Sequence, residues 1–246
     1  MTESIILYAV DNHTATITLN RPQVKNALNK ELHFALYDAF EVAKTDKNVS
    51  VIVLRGSNNA FCAGADLKSI PIEELHSFDY GGYLDETYNR LIRLIVSIEK
   101  PIVAHINGIA VGAGLSIALA CDYRIANPGV KMGLGFLKIG LVPDAGASYF
   151  LPRLVGLGKA NELALGNLIS AEEAYRIHLI NNIGHLDELV QQLLTIPQMA
   201  FGLMKQNFRV SFEHDLELML QMEVDGQRQA SKTTEHKRAI QQFLSR

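Results

Sequence analysis

The sequence predicts an α/β fold with parallel strands, followed by a helical C-terminal region. Three observations carry this. Short, largely apolar runs that end in glycine alternate with stretches of helical period over residues 49–127. Each run has the length of a strand buried on both faces. From about Gly156 the texture changes, and every later periodic stretch reads as a helix.

In chain order, residues 4–10 (SIILYAV) and 14–20 (TATITLN) are β-branched and alternating around "DNH", and read as a strand pair. Residues 29–47 have apolar positions at helical spacing, with Asn29 as the expected cap. Residues 49–56 (VSVIVLRG) are a buried strand, and 57–70 (SNNAFCAGADLKSI) are loop-like. Residues 83–100 form a second amphipathic helix, and 101–108 (PIVAHING) another buried strand. Residues 112–122 (GAGLSIALACD) read as a short helix entered directly from glycines, and 123–127 (YRIAN) as a strand. Helices are expected at 159–166, 170–179, 185–194, 198–210, 214–230 and 235–244. The expected division is a core over residues 1–190 and a C-terminal helical region over 191–246. No internal repeat or low-complexity segment is found.

Composition narrows the function. Hydrophobic residues make up 48 % and charged residues 20 %, which suits a chain with a sizeable core. The net charge of −3 argues against a general nucleic-acid binder. Cys62 and Cys121 lie far apart in apolar settings and are expected as thiols. The N-terminus lacks the pattern of a secretory signal, and the longest apolar run, 108–123, is too short and glycine-rich to span a membrane. The expected location is the cytoplasm. The eight histidines form no pair at metal-ligand spacing, so no metal is expected.

Two loops have the composition of a ligand site. "NNAFCAGADLKS" and "NGIAVGAGLSIALACD" each follow a buried strand, and the glycines of the second open a helix. A helix N-terminus presents free N–H groups and a partial positive charge. Two such donors converging on one oxygen would form an oxyanion hole. The second loop spaces its glycines as G-x-x-x-G-x-G, which is neither a dinucleotide fingerprint nor a phosphate loop. Farther on, a single acid, Asp144, stands in the Pro-Asp-Ala-Gly turn of "GLVPDAGASYFLP". It reads either as a turn residue or helix cap, or as a proton carrier among apolar neighbours.

"FCAGADLKS" followed by "INGIAVGAGLSIALACDYRIA" resembles the crotonase, or enoyl-CoA hydratase/isomerase, superfamily. "LNRPQVKNALN", "LVPDAGASYFLPRLVG" and "LISAEEAYRIHLI" fit as well, so that the resemblance covers residues 3–183. It implies a spiral of β-β-α units with a C-terminal helical region that builds homotrimers or hexamers. It implies an acyl-CoA thioester as substrate, with no separate cofactor, no nucleic acid and no membrane. The thioester oxygen would sit between the backbone N–H groups of Ala65 and Ala113, with Gly112 and Gly114 shaping the second loop. Ala63, Gly64, Asp66, Leu67 and Lys68 would hold the adenine and pantetheine part. Lys25 is either a partner for CoA phosphates or a solvated loop lysine.

Hydratases of the superfamily carry two glutamates, and their positions fall here on Ser116 and Phe136. Asp144 remains, at the turn where some enoyl-CoA isomerases and the epoxyphenylacetyl-CoA isomerase branch place their acid. The resemblance therefore implies a double-bond shift through an enolate, with Asp144 as proton shuttle and its pKa raised by burial among Val142 and Phe136. Fatty-acid metabolism or phenylacetate catabolism would supply such a substrate. A hydratase or other crotonase-type lyase, and a CoA-thioester-binding protein without catalysis, are the other readings. Ser116 would line the acyl pocket or simply pack. Asp122 and His105 are expected to serve structure, and Arg153 to form an ion pair. The segment between residues 189 and 197 is shorter than in most relatives.

Overall fold

The computed structural model describes residues 4–69 and 77–245. Strands β1 (Ile6–Asp11) and β2 (Thr14–Leu19) pair antiparallel. Their two-residue turn is Asn12-His13, both at positive φ, the conformation that matches the twist of a tight hairpin. Helix α1 (Lys30–Thr45) starts at Asn29, whose side chain accepts from Leu32 N at 3.0 Å. Strands β3 (Val51–Gly56) and β4 (Ala60–Cys62) follow. Next come helices α2 (Tyr80–Leu84) and α3 (Arg90–Ser97), joined by a π-helical segment, Asp85–Asn89. Strands β5 (Ile102–Ile106) and β6 (Ile109–Val111) lead into helix α4 (Ala113–Ala120). Strands β7 (Tyr123–Ala126) and β8 (Lys131–Gly133) precede a 3₁₀ turn over Phe136–Ile139. The chain continues through helices α5 (Ala147–Val155) and α6 (Leu157–Ala164), strand β9 (Ile169–Ser170), helix α7 (Ala171–Arg176) and strand β10 (Asn182–Ile183). Four helices close it: α8 (Leu186–Leu194), α9 (Gln198–Val210), α10 (Leu216–Ala230) and α11 (Thr234–Leu244).

The strands form two sheets. A six-stranded sheet has the order β1-β2-β3-β5-β7-β10, and a four-stranded one the order β4-β6-β8-β9. Consecutive strands β3-β4, β5-β6 and β7-β8 put one member in each sheet, and a helical stretch comes after each pair. This is the expected spiral of β-β-α units. In both sheets the neighbours contributed by successive turns are parallel, as stacked crossovers require. The central strand β3 is buried along nearly its whole length (Val51, Ile52, Val53, Leu54), which explains its continuous apolar sequence.

Three local expectations are corrected. The loop-like stretch 57–70 contains strand β4, and the second loop contains strand β6. Three-residue strands are too short to show a period. The helix expected over 83–100 is broken by the π-helical segment, which apolar spacing alone does not reveal.

Helix α4 buries all eight of its residues, and every one but Ser116 is apolar or glycine. Its seat needs Gly114: a methyl there would lie 2.6 Å from Cys62 Cβ and 2.6 Å from Cys62 O. That contact fixes the start of α4 on the end of β4, and so sets the two glycine-containing loops side by side. At the other end of the chain, α10 and α11 bury none of their residues. They leave Leu216, Phe243 and Leu244 more than 70 % exposed.

Candidate active site

The first loop is Ala63–Leu67, after β4. The segment Lys25–Leu28 holds it: Ala63 N donates to Lys25 O at 3.0 Å, Leu28 N to Gly64 O at 2.8 Å, and Asp66 N to Leu28 O at 2.9 Å. Parallel bridging at Leu28 turns the Ala65 N–H to the opposite side. Among the described residues that N–H has no acceptor. The second loop gives the same result. Gly112 N donates to Gly133 O at 2.9 Å, while Ala113 N–H, the first of α4, has no acceptor among the described residues.

The loops touch. Gly64 has φ +90° and Gly112 φ +56°, both in the region that favours glycine. A methyl on Gly64 would lie 3.6 Å from Ala113 N, and one on Gly112 would lie 4.0 Å from Gly64 Cα and 4.0 Å from Phe136 Cζ. Two unpaired donors thus stand on adjoining backbones, one at a helix N-terminus, with an aromatic edge beside them. The arrangement can stabilise a developing negative charge on an oxygen.

Around the loops, the Arg21 guanidinium pairs with Asp66 at 3.0 Å and also donates to Ala27 O. Asn26 is fully buried, at φ +57°; its amide donates to Ala60 O at 2.8 Å and accepts from Arg21 N at 2.9 Å. Lys25, Leu67 and Lys68 are exposed. Arg21 and Asn26 stand in the "LNRPQVKNALN" motif, yet nothing in its local pattern gives either a role. Asp66 is therefore spoken for by Arg21, and its side chain is part of the loop's scaffold.

Ser116 is buried, and its hydroxyl donates to Gly112 O at 3.2 Å, within its own helix. Phe136 is buried in the 3₁₀ turn. Neither position offers a carboxylate.

Asp144 does not cap a helix. The N-cap of α5 is Gly146, with no side-chain cap bond; Ala147 N donates to the Asp144 carbonyl, and Ser148 Oγ to Pro143 O. The turn is tight: Ala145 at φ +49° and Gly146 at φ +80° are consecutive left-handed residues. For a non-glycine residue such a conformation costs of order 1 kcal/mol or more. One carboxylate oxygen, Oδ1, is buried without a partner among the described residues. Burial pushes the Asp144 carboxyl up to about 6. The direction matches the expectation, but one of its sources does not. Val142 is 74 % exposed on the outer side of the turn and shields nothing. Ala145, Ala147 and Phe136 are buried.

That shift has an effect on stability. An unfolded Asp titrates near 4, so between pH 4 and 6 the folded chain holds a proton that the unfolded chain lacks. Stability contributed by this site therefore falls as pH rises through that window, and the full penalty stands above pH 6. Asp144→Asn is expected to raise stability at pH 7.5 by about 1–2 kcal/mol, after discounting for the solvent-facing part of the carboxylate. The gain should vanish near pH 4. Thermal melts at the two pH values check it; an equal effect at both would contradict a buried charge.

Other candidates fall into place. Asp122 accepts from Ile102 N and pairs with Lys205 at 2.8 Å, a structural role as expected. His105 is only half satisfied: Nε2 meets Asn127 at 2.9 Å and Nδ1 has no partner among the described residues. Arg153 forms no ion pair among the described residues. It lies 3.6 Å from the Tyr149 ring centroid, where a guanidinium gains from the ring face instead. Among the described residues no cluster of His, Cys, Asp and Glu could hold a metal, and no helix is long and apolar enough to cross a membrane.

The model of one family, enoyl-CoA hydratase/isomerase, matches residues 10–246. The chain belongs to that family. Its members include 1,2-epoxyphenylacetyl-CoA isomerase of Escherichia coli, 33 % identical over 98 % of this chain and 95 % of that protein. Crotonyl-CoA hydratase of Syntrophomonas wolfei is 31 % identical, over 99 % and 96 %. Among solved structures, an enoyl-CoA hydratase/isomerase from Cupriavidus metallidurans superimposes with a TM-score of 0.89 at 31 % identity, covering 98 % of this chain and 93 % of that one. An enoyl-CoA hydratase from Bacillus anthracis gives 0.88 at 30 % identity, covering 98 % and 96 %. The two loops and Asp144 thus lie within an enzyme of the crotonase fold.

Proposed function

We propose that this enzyme shifts a double bond in an enoyl-CoA thioester, with Asp144 carrying the proton. The observation behind this reading is the buried, unpartnered Oδ1 of Asp144, in a turn where the carboxylate does no capping. Moving a double bond needs one base that removes a proton from one carbon and returns it to another. A carboxyl lifted to about 6 is suited to both steps near neutral pH. Proton removal beside the thioester moves charge onto its oxygen, which the N–H groups of Ala65 and Ala113 would receive. A hydratase that divides water between two carboxylates would need acids where Ser116 and Phe136 stand. The name of the Escherichia coli isomerase favours the same class.

In this reading Ala63, Gly64, Asp66, Leu67 and Lys68 pass along the CoA moiety, Lys25 meets its phosphates, Gly112 and Gly114 shape the oxyanion site, and Ser116 and Phe136 border the acyl group. Because Ala63 N, Gly64 O and Asp66 N are already paired within the protein, the CoA contacts would fall on the remaining backbone groups. A cytoplasmic location suits a pathway of fatty-acid or phenylacetate breakdown. The test is to incubate the protein with 3-enoyl-CoA and 2-enoyl-CoA and separate the products. Conversion of 3-enoyl to 2-enoyl without a hydroxyacyl product is expected. A hydroxyacyl product would make it a hydratase, and tight binding without turnover would make it a non-catalytic CoA-thioester binder.

Residues 191–246 are proposed as the self-association region of a trimer or hexamer. Helices that bury nothing in one chain, yet expose Leu216, Phe243 and Leu244, call for cover from another. Light scattering at micromolar concentration should give three or six times the mass of one chain; a monodisperse monomer would contradict it.

A further inference from the structure

Besides Asp144 Oδ1, three buried polar atoms in the same region lack a partner among the described residues: Tyr88 Oη and both ring nitrogens of His33. Tyr88 is 2 % and His33 1 % exposed. Their rings lie edge to face, centroids 4.0 Å apart, and the Tyr83 ring lies 6.1 Å from Tyr88 and 6.2 Å from His33. Two separate elements bring them together: α1 carries His33, and the π-helical segment carries Tyr88. A π turn inserts a residue into a helix and rotates the side chains beyond it, and such turns recur at functional sites.

The hydroxyl's position can be bracketed. Beyond burial, the Asp144 carboxylate is the main group that raises the Tyr88 pKa; Tyr83 and Cys62 would add to it only when ionised. Cys62 ends β4, directly before the first loop and beneath Gly114. Tyr83 in turn feels Asp66 of the first loop. Geometry gives the same side of the core. A methyl on Gly146, in the Asp144 turn, would lie 3.4 Å from Ile92 Cγ2, one helical turn beyond Tyr88. Tyr88 packs in one core cluster with Cys62, Ala113, Phe136 and Ala145, toward the place where the acyl group would lie. Burial keeps His33 neutral, at about 4, so it brings one donor and one acceptor to the same place.

Packing alone does not account for this cluster. Buried hydroxyls and imidazoles are ordinarily hydrogen-bonded, and unpaired ones destabilise the chain that holds them. Phenylalanine and leucine would fill the space without that cost.

We propose that Tyr88, with His33 behind it, determines specificity: its hydroxyl bonds an oxygen carried by the acyl group, so that the preferred thioester is oxygenated in its acyl part. This rests on the reading of the site as an acyl-CoA pocket, and binding of inert thioesters separates the two. Hexanoyl-CoA and its 4-, 5- and 6-hydroxy analogues are titrated calorimetrically; all are saturated, so Asp144 chemistry plays no part. At least one hydroxylated thioester should bind roughly tenfold or more tightly than hexanoyl-CoA, since a site built for a hydroxyl rejects the analogue that lacks it. Tyr88→Phe should erase the preference and leave hexanoyl-CoA binding within about twofold. No preference in the unmodified protein, or a preference that survives Tyr88→Phe, would overturn the proposal. If the phenylalanine variant fails to fold, Tyr88→Met removes the hydroxyl in another shape, and the preference of the unmodified protein still decides. Absence of binding by every thioester would sink the acyl-CoA reading along with it. An Asp144→Asn protein that kept its turnover but showed the preference would sink the isomerase mechanism alone.

Discussion

Replacing Asp144 by asparagine should lower turnover by ~10²-fold or more, the usual size of a general acid–base contribution. The amide has nearly the carboxylate's shape but accepts no proton. Affinity for a saturated acyl-CoA should stay within a few-fold, because neither Ala65 N–H nor Ala113 N–H is disturbed. The geometry sharpens this test. Asp144 does not cap α5, so the variant loses no helix contact, and a fall in rate cannot be blamed on local unfolding. In the unmodified enzyme kcat/KM should rise with pH to a plateau, with a midpoint near 6, since the base must start deprotonated. Full activity in Asp144→Asn, or a flat profile from pH 5 to 8, would return Asp144 to being a turn residue.

The second large effect is expected at the oxyanion loop. Ala113 is the first residue of α4, where proline is tolerated because its N–H has no helical partner. Ala113→Pro therefore deletes a donor without deleting a helix bond. The loss should cost about 3 kcal/mol of transition-state stabilisation, or 10²–10³-fold in kcat. Circular dichroism must show the native helix content for the result to count. Ala65→Gly, which keeps its N–H, is the control and should retain most activity. Near-normal kcat in a folded Ala113→Pro protein would show that the negative charge develops elsewhere.

Range along the chain decides which features the sequence displays. Strands β3 and β5 and helix α1 are legible because burial on both faces, or a cap at Asn29 with a 3.6-residue period, writes itself over consecutive residues. Ala65, Ala113 and Asp144 are legible through resemblance, which supplies the pairing of two distant loops. The unpaired state of their N–H groups depends on what Lys25–Leu28 and Gly133 take up, and no local pattern records that. Val142 misleads for a related reason: an apolar residue beside an acid in sequence can point away from it. Tyr88 and His33 escape notice because a histidine and a tyrosine on amphipathic helices look like core. Only the meeting of α1 with a π-helical segment shows that their polar atoms are left over. Strand β4 is hidden by its length.

The close seat of Gly114 on Cys62 also has a use at the bench. Burial pushes the Cys62 thiol up to about 12 and that of Cys121 likewise, so almost no thiolate exists in the closed fold at neutral pH. Alkylating reagents must wait for the chain to open. The rate at which Cys62 takes up label is then a clock for the parting of α4 from β4, the event that dismantles the two loops. Timed with and without a saturated acyl-CoA, it would gauge how firmly a ligand holds that junction shut, without any turnover being measured.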